Sequence, residues 1–211
     1  MITAISNMRI PKPVLSVLRR TVPPPAKTAI RHMVMAMGID LYLRTDDRRI
    51  LETVIFPYFV GNADFSRVLF VGCGWYTRPY NQVFLREQYW TLDIDPARSR
   101  YGSSRHIIDS LTNLDSHFGP GDLDLIICTG VFGWGLNAKN DIETAFSKCY
   151  ECLRDDGVFV LGWADIPEKR PFPPEETKSL RRFKPYIFPS LGASRYLTSG
   201  ELRHTFLFFR K

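Results

Sequence analysis

The spacing of apolar residues changes several times along the chain, and each change predicts an element. From Ala26 to Leu43, Ile30, Met33, Met37 and Leu41 recur at helical spacing. Asp46 or Asp47 is placed to cap a second helix carrying Ile50, Leu51, Val54 and Ile55, which Pro57 is expected to stop. Val68-Leu69-Phe70-Val71 is an unbroken apolar run ending at Gly72, as a strand buried on both faces requires. Pro79 to Glu87 reads as a helix with Pro79 in its first turn. Further strands are expected over Tyr89 to Ile94, Arg105 to Ile108 and Leu123 to Thr129. From Asn140 to Arg154 a helix carries Ile142, Ala145, Phe146, Cys149, Cys152 and Leu153 on one stripe. Asn140 with Glu143 forms a capping box there, and Gly157 closes the far end. Val158 to Gly162 is a fifth strand. Alternation of strand and helix, joined by right-handed crossovers, predicts a parallel sheet with helices on both faces.

The pattern then breaks. Residues 165 to 190 hold Pro167, Pro171, Pro173, Pro174, Pro185 and Pro189, a long excursion of the kind that forms lids or binding loops. Tyr196-Leu197, a turn at Ser199-Gly200 and the run Arg203 to Phe209 predict a closing antiparallel hairpin. At the other end, Pro23-Pro24-Pro25 stiffens the chain after an arm of about 30 residues. The expected organisation is a basic arm with helices over 1–60, then a single α/β domain over 61–211.

Charge sharpens this division. Arg9, Lys12, Arg19, Arg20, Lys27 and Arg31 all precede the first acid, Asp40, and those six account for the whole excess of 28 basic over 22 acidic residues. The arm is either a loosely packed basic extension or a segment drawn to an anionic surface such as lipid head groups. No nucleic-acid partner is expected, because no recognition motif appears and no basic excess exists outside the arm. The same cations, with Pro11 and Pro13, interrupt any apolar core of a secretory signal. Cys73, Cys128, Cys149 and Cys152 form no disulfide framework, which fits a reducing, cytoplasmic setting.

Four segments carry candidate chemistry. Val71-Gly72-Cys73-Gly74-Trp75-Tyr76 runs from a strand into a glycine turn, where a ligand can approach the backbone closely. Leu92-Asp93-Ile94-Asp95-Pro96 ends the next strand, and a carboxylate at Asp93 can accept both hydroxyls of a ribose. Asp109-Ser110-Leu111 follows the third strand; Asp109 either bonds an exocyclic amine or caps the helix after it. Cys128 to Gly135 follows the fourth strand, with glycines that leave room over a cleft and Phe132 and Trp134 to wall it.

Together these segments resemble the class I S-adenosylmethionine-dependent methyltransferases. The similarity runs from about Val68 to Trp163. It includes Leu123-Asp124-Leu125-Ile126-Ile127 as the fourth-strand signature and Leu153 to Val160 as the segment entering strand five. The resemblance implies a doubly wound seven-stranded, mostly parallel sheet of order 3-2-1-4-5-7-6, with strand seven antiparallel. It also implies S-adenosyl-L-methionine as cofactor, held by Val71, Gly72, Cys73, Gly74, Tyr76, Asp93, Ile94, Asp109, Ser110, Thr129, Gly130 and Val131. Two positions depart from the family pattern. Phe70 stands where an acid is usual, and Tyr76 where a third glycine is usual. A binding-only relative of the fold is therefore an alternative. A nicotinamide-dependent oxidoreductase is another, although Thr77 occupies the position of its fingerprint glycine.

Methyl transfer needs alignment and exclusion of water, with a base only where the acceptor loses a proton. Asp165, Tyr186 and His204 are the candidate bases. No Asn/Asp-Pro-Pro-aromatic run follows strand four, so a small molecule or glycan methylated on oxygen is the expected acceptor. The acceptor pocket is expected from the N-terminal helices, the 129–137 loop and residues 164–190. Lys178, Arg181, Arg182 and Lys184 either attract an anionic acceptor or form a solvated face. Cys149 and Cys152 lie on a core stripe without further ligands, so no metal is expected.

Overall fold

The computed structural model describes residues 23–211. The chain divides into two compact units, 1–41 and 42–211. The described part of the first contains α1 (Pro24–Ala36), shorter than the 26–43 span expected. The basic residues Arg9, Lys12, Arg19 and Arg20 of the arm lie outside the described residues.

The second unit is built on one sheet. Its strands are β1 (Arg67–Val71), β2 (Gln88–Asp93), β3 (His106–Ile108), β4 (Leu123–Thr129), β5 (Leu153–Ala164), β6 (Lys184–Pro185), β7 (Arg195–Leu197) and β8 (His204–Arg210). The order is β3-β2-β1-β4-β5-β8-β6, with β7 also on β8. β1 to β5 run parallel, and β8 lies antiparallel beside β5. This is the expected doubly wound order with one refinement. The outermost strand is split into β6 and β7, so eight strands replace seven. Pro185, which cannot donate to a ladder, sits on that edge.

β4 is buried at all seven positions, as a central parallel strand must be. One face of the sheet packs Leu69, Ile126 and Phe159 against α5 (Lys139–Cys152), whose Ile142, Ala145, Phe146, Cys149 and Cys152 are buried. The other packs Phe70, Ile127, Val160 and Phe206 against Ile50, Leu51, Ile55, Phe56 and Phe59. The 42–59 stretch, read from the sequence with the arm, thus belongs to the compact unit starting at Tyr42.

Local details depart from expectation for identifiable reasons. Pro57 does not stop its helix. α2 (Asp46–Ile50) passes through a π turn (Leu51–Ile55) into α3 (Phe56–Phe59), and the widened turn relieves the proline's clash with the preceding carbonyls. The helix expected over 79–87 shrinks to α4 (Tyr80–Val83), after which Phe84 stacks on Tyr89 of β2 at 4.8 Å. The expected capping box at Asn140 is absent. Ala138 caps α5 without a side-chain bond, and Glu143 instead accepts from the Lys178 and Ser179 amides, 2.8 Å each. Gly157 lies inside β5, not at the helix end, because α5 passes directly into that strand. Among the described residues no helix is long and apolar enough to cross a membrane.

Candidate active site

The glycine turn and the acid of the neighbouring strand meet at the carboxyl end of the sheet. β1 and β2 are in register from Arg67↔Gln88 to Val71↔Leu92, which carries Gly72 and Asp93 to the same end. Asp93 Oδ2 accepts the Cys73 amide at 2.7 Å, and Oδ1 accepts the Asp95 amide at 2.9 Å. Each oxygen keeps a second lone pair for an outside donor. Gly72 adopts φ +93°, and a Cβ there would lie 3.0 Å from the Thr129 carbonyl oxygen and 2.7 Å from Val131 Cγ2. Only glycine lets the β1 turn pass so close to the β4 turn, where Gly130 also has φ +75°. Cys73 is inert chemically, since burial first and Asp93 second push its thiol up to about 12.

Tyr76 lies over Gly74, with ring carbons 2.9–3.4 Å from where a Cβ would stand. Above that ring sits a residue that sequence reasoning missed. The Arg48 guanidinium is 4.7 Å from the Tyr76 centroid, and its Nη2 is 3.6 Å from the Cβ position of Gly130. Arg48 is 4% exposed. Its Nε lies 3.2 Å from Asp47 Oδ2 but outside hydrogen-bond geometry, and among the described residues neither Nε nor Nη1 has a hydrogen-bond partner. Asp47 offsets the buried charge, while Nε and Nη1 remain donors that a ligand's acceptor could meet. The sequence signal was an arginine in the first turn of a helix whose next residues are core.

Beside Arg48 the same face holds His204. Its Nδ1 is 3.9 Å from Asp47 Oδ2. Its Nε2 is buried without a partner among the described residues, as is Thr129 Oγ1. Gly162 makes room for these two side chains: a Cβ there would fall 2.8 Å from His204 Nε2 and 2.9 Å from Thr129 Cγ2. Burial lowers the His204 pKa to about 4, with Asp47 opposing and Arg48 reinforcing the shift, so the imidazole is neutral at pH 7. Orphaned donors on Arg48 and Thr129, the Gly72 cradle and the Asp93 carboxylate suit a ligand with a ribose and a charged amino-acid end.

Residues 69–161 match the family model of the methyltransferase domain. The match runs from β1 into β5, the stretch that carries the glycine turn and Asp93. Similar solved structures share the fold of this chain at low identity. Magnesium protoporphyrin IX methyltransferase from Synechocystis PCC 6803 with bound SAM is 15% identical, covers 98% of this chain and 100% of its own, and has TM-score 0.57. The N-methyltransferase NodS from Bradyrhizobium japonicum WM9, in complex with S-adenosyl-L-homocysteine, is 15% identical over 80% and 93%, with TM-score 0.56. A TehB-like methyltransferase from Corynebacterium glutamicum ATCC 13032 is 17% identical over 88% and 96%, with TM-score 0.55. No curated protein matches the chain.

The other candidate residues separate by position. Asp109 is engaged by its own loop, accepting from Ser110 N at 2.7 Å and Asn113 Nδ2 at 2.8 Å, with His117 Nε2 2.8 Å away. Ser110 caps the turn after it through the Thr112 amide. Ile94 is 70% exposed beside Asp93. Asp165 is held by Arg170 at 2.7 Å and Arg195 at 3.1 Å, which makes it a brace for the excursion rather than a free base. Tyr186 bonds Tyr58 through their hydroxyls at 2.7 Å and donates its amide to Phe208. It therefore sits on the outer edge of β8, away from the Gly72 turn. Of the three proposed bases, only His204 joins the cluster around Arg48. The 130–136 loop and the excursion do meet: Lys169 Nζ is 3.9 Å from the Trp134 ring centroid, and Phe132 is 5.7 Å from Phe172. Arg182 turns to Glu151 and Tyr150 on α5, a partly exposed face.

Proposed function

We propose that this chain methylates a hydroxyl of a small molecule or glycan. The observation that carries the proposal is the buried cluster of His204, Arg48 and Thr129 beside the glycine turn, in which His204 Nε2, Arg48 Nε and Nη1, and Thr129 Oγ1 have no hydrogen-bond partner among the described residues. Bound S-adenosylmethionine supplies an electrophilic methyl on a sulfonium. Gly72, Cys73 and Gly74 would give it backbone room, and Asp93 would accept from its ribose hydroxyls. Val71, Ile94 and Val131 would line its apolar parts, and Thr129 and Gly130 its amino-acid end. Asp109 and Ser110 would flank the base. Arg48 would meet the carboxylate of that amino-acid end, while Phe70, buried in an aromatic cluster with Phe56 and Tyr80, offers it no polar contact. His204 would take the acceptor's proton through Nε2, because the neutral imidazole keeps that lone pair available. The four free, buried cysteines favour a reducing compartment such as the cytoplasm.

Calorimetry with S-adenosylmethionine, S-adenosylhomocysteine and NAD tests the cofactor half. Binding of NAD with no response to either sulfur compound overturns it. Labelled methyl donor, offered with a panel of small phenols, sugars and amines, tests the acceptor half. Label appearing on amines alone removes the hydroxyl reading. Cofactor binding with no transfer to any class of acceptor favours a binding-only relative.

A further inference from the structure

Helix α1 leaves its most apolar stripe exposed. Ile30 is 47% exposed, Met33 60% and Met37, at the helix end, 62%. At 3.6 residues per turn these three share one side. Met35, on the opposite side, is 7% exposed. A water-facing helix normally buries its apolar stripe, so an exposed stripe marks a surface meant to be covered. Lys27 and Arg31, one turn apart, flank the stripe. No acid occurs before Asp40, and Arg9, Lys12, Arg19 and Arg20 precede the helix. A polyanion such as nucleic acid would use the cations and leave Ile30, Met33 and Met37 without a role. An anionic bilayer uses both: apolar side chains enter the head-group boundary, while lysine and arginine reach the lipid phosphates.

We propose that α1 docks this chain on an anionic membrane surface through Ile30, Met33 and Met37. The occupant is a lipid interface, not a second copy of the chain. The proposal is independent of the acceptor and of the cofactor site.

The test is co-sedimentation of the full chain with phosphatidylcholine vesicles and with vesicles in which phosphatidylglycerol replaces part of the phosphatidylcholine. The expected result is pelleting with the anionic vesicles only, and release by high salt as the charges are screened. The triple variant Ile30→Ser/Met33→Ser/Met37→Ser replaces exposed side chains. It should lower vesicle affinity at least about tenfold while S-adenosylhomocysteine binding and the unfolding midpoint stay unchanged. Replacing Arg9, Lys12, Arg19 and Arg20 by Gln should weaken binding to the anionic vesicles as well. Failure of the wild type to pellet, equal pelleting of the triple variant, or equal binding to both vesicle types overturns the proposal. So does a concentration-dependent dimer that the triple variant converts to monomer, which would make a second copy the cover.

Discussion

The Arg48 guanidinium stands 4.7 Å from the centre of the Tyr76 ring, and the same ring closes over Gly74. A helix that precedes the first strand thus reaches the turn that follows it. Arg48→Met should weaken S-adenosylhomocysteine binding at least about tenfold, because charge-assisted bonds contribute about 1.5–3 kcal/mol. Calorimetry reads this directly. Unchanged affinity would mean that Arg48 serves packing alone.

Asp93 has a double role, fixing the turn through the Cys73 amide and offering its remaining lone pairs outward. Asp93→Ala should cost at least ~1 kcal/mol of cofactor binding. Asp93→Asn keeps an acceptor for Cys73, so it should restore the loop more than the affinity. Equal binding by wild type and Asp93→Ala, measured by titration, would reduce Asp93 to a loop acid.

His204 links stability to acid. Its ordinary pKa of 6.5 falls to about 4 in the folded chain, first through burial, with Asp47 and Arg48 the charged groups facing it. Below 6.5 the unfolded chain takes up the proton and the folded chain does not. The stabilisation is therefore complete above pH 6.5 and is lost as pH falls towards 4, by up to about 3 kcal/mol. Urea unfolding of wild type and His204→Gln at pH 7 and pH 5 should show a smaller acid loss in the variant. Parallel losses would place the acid sensitivity elsewhere.

Asp124 is a buried acid, 5% exposed, that gathers the start of β1. Oδ2 accepts the Ser66 and Arg67 amides at 3.0 and 2.7 Å, and Oδ1 accepts from Arg154 Nε at 2.9 Å. Asp124→Leu strands those donors and should destabilise by about 3 kcal/mol, read as a lower urea midpoint. A midpoint within error of wild type would show that water replaces the carboxylate without loss.

Gly133 sits where the loop after β4 meets the excursion. Its φ is +82°, and a Cβ would overlap the Lys169 carbonyl oxygen at 1.8 Å. Gly133→Ala should displace residues 165–175 and loosen the excursion, seen as faster amide exchange there. Unaltered exchange would mean that the loop shifts instead.

Much of this could be read along the chain because its causes are local. Contiguous apolar runs specify β1, β4 and β5 whatever surrounds them, and Gly72 with Asp93 follow from where those strands end. The proline-rich excursion and the closing hairpin were legible for the same reason. Arg48 was not: its role depends on α2 lying across the carboxyl end of strands far away in sequence. His204 and Tyr186 looked alike as candidates, yet the antiparallel register of β8 puts His204 opposite Ala164 at the cleft end and sends Tyr186 to the outer edge. Pro57 carries the same lesson, since a π turn under tertiary packing absorbed a residue that breaks isolated helices. The sequence determined which segments are strands and which turn must be glycine, because backbone sterics and burial act over neighbouring residues. Tertiary structure decided which charges face that turn, because only the packing of distant elements brings Asp47, Arg48, Thr129 and His204 together.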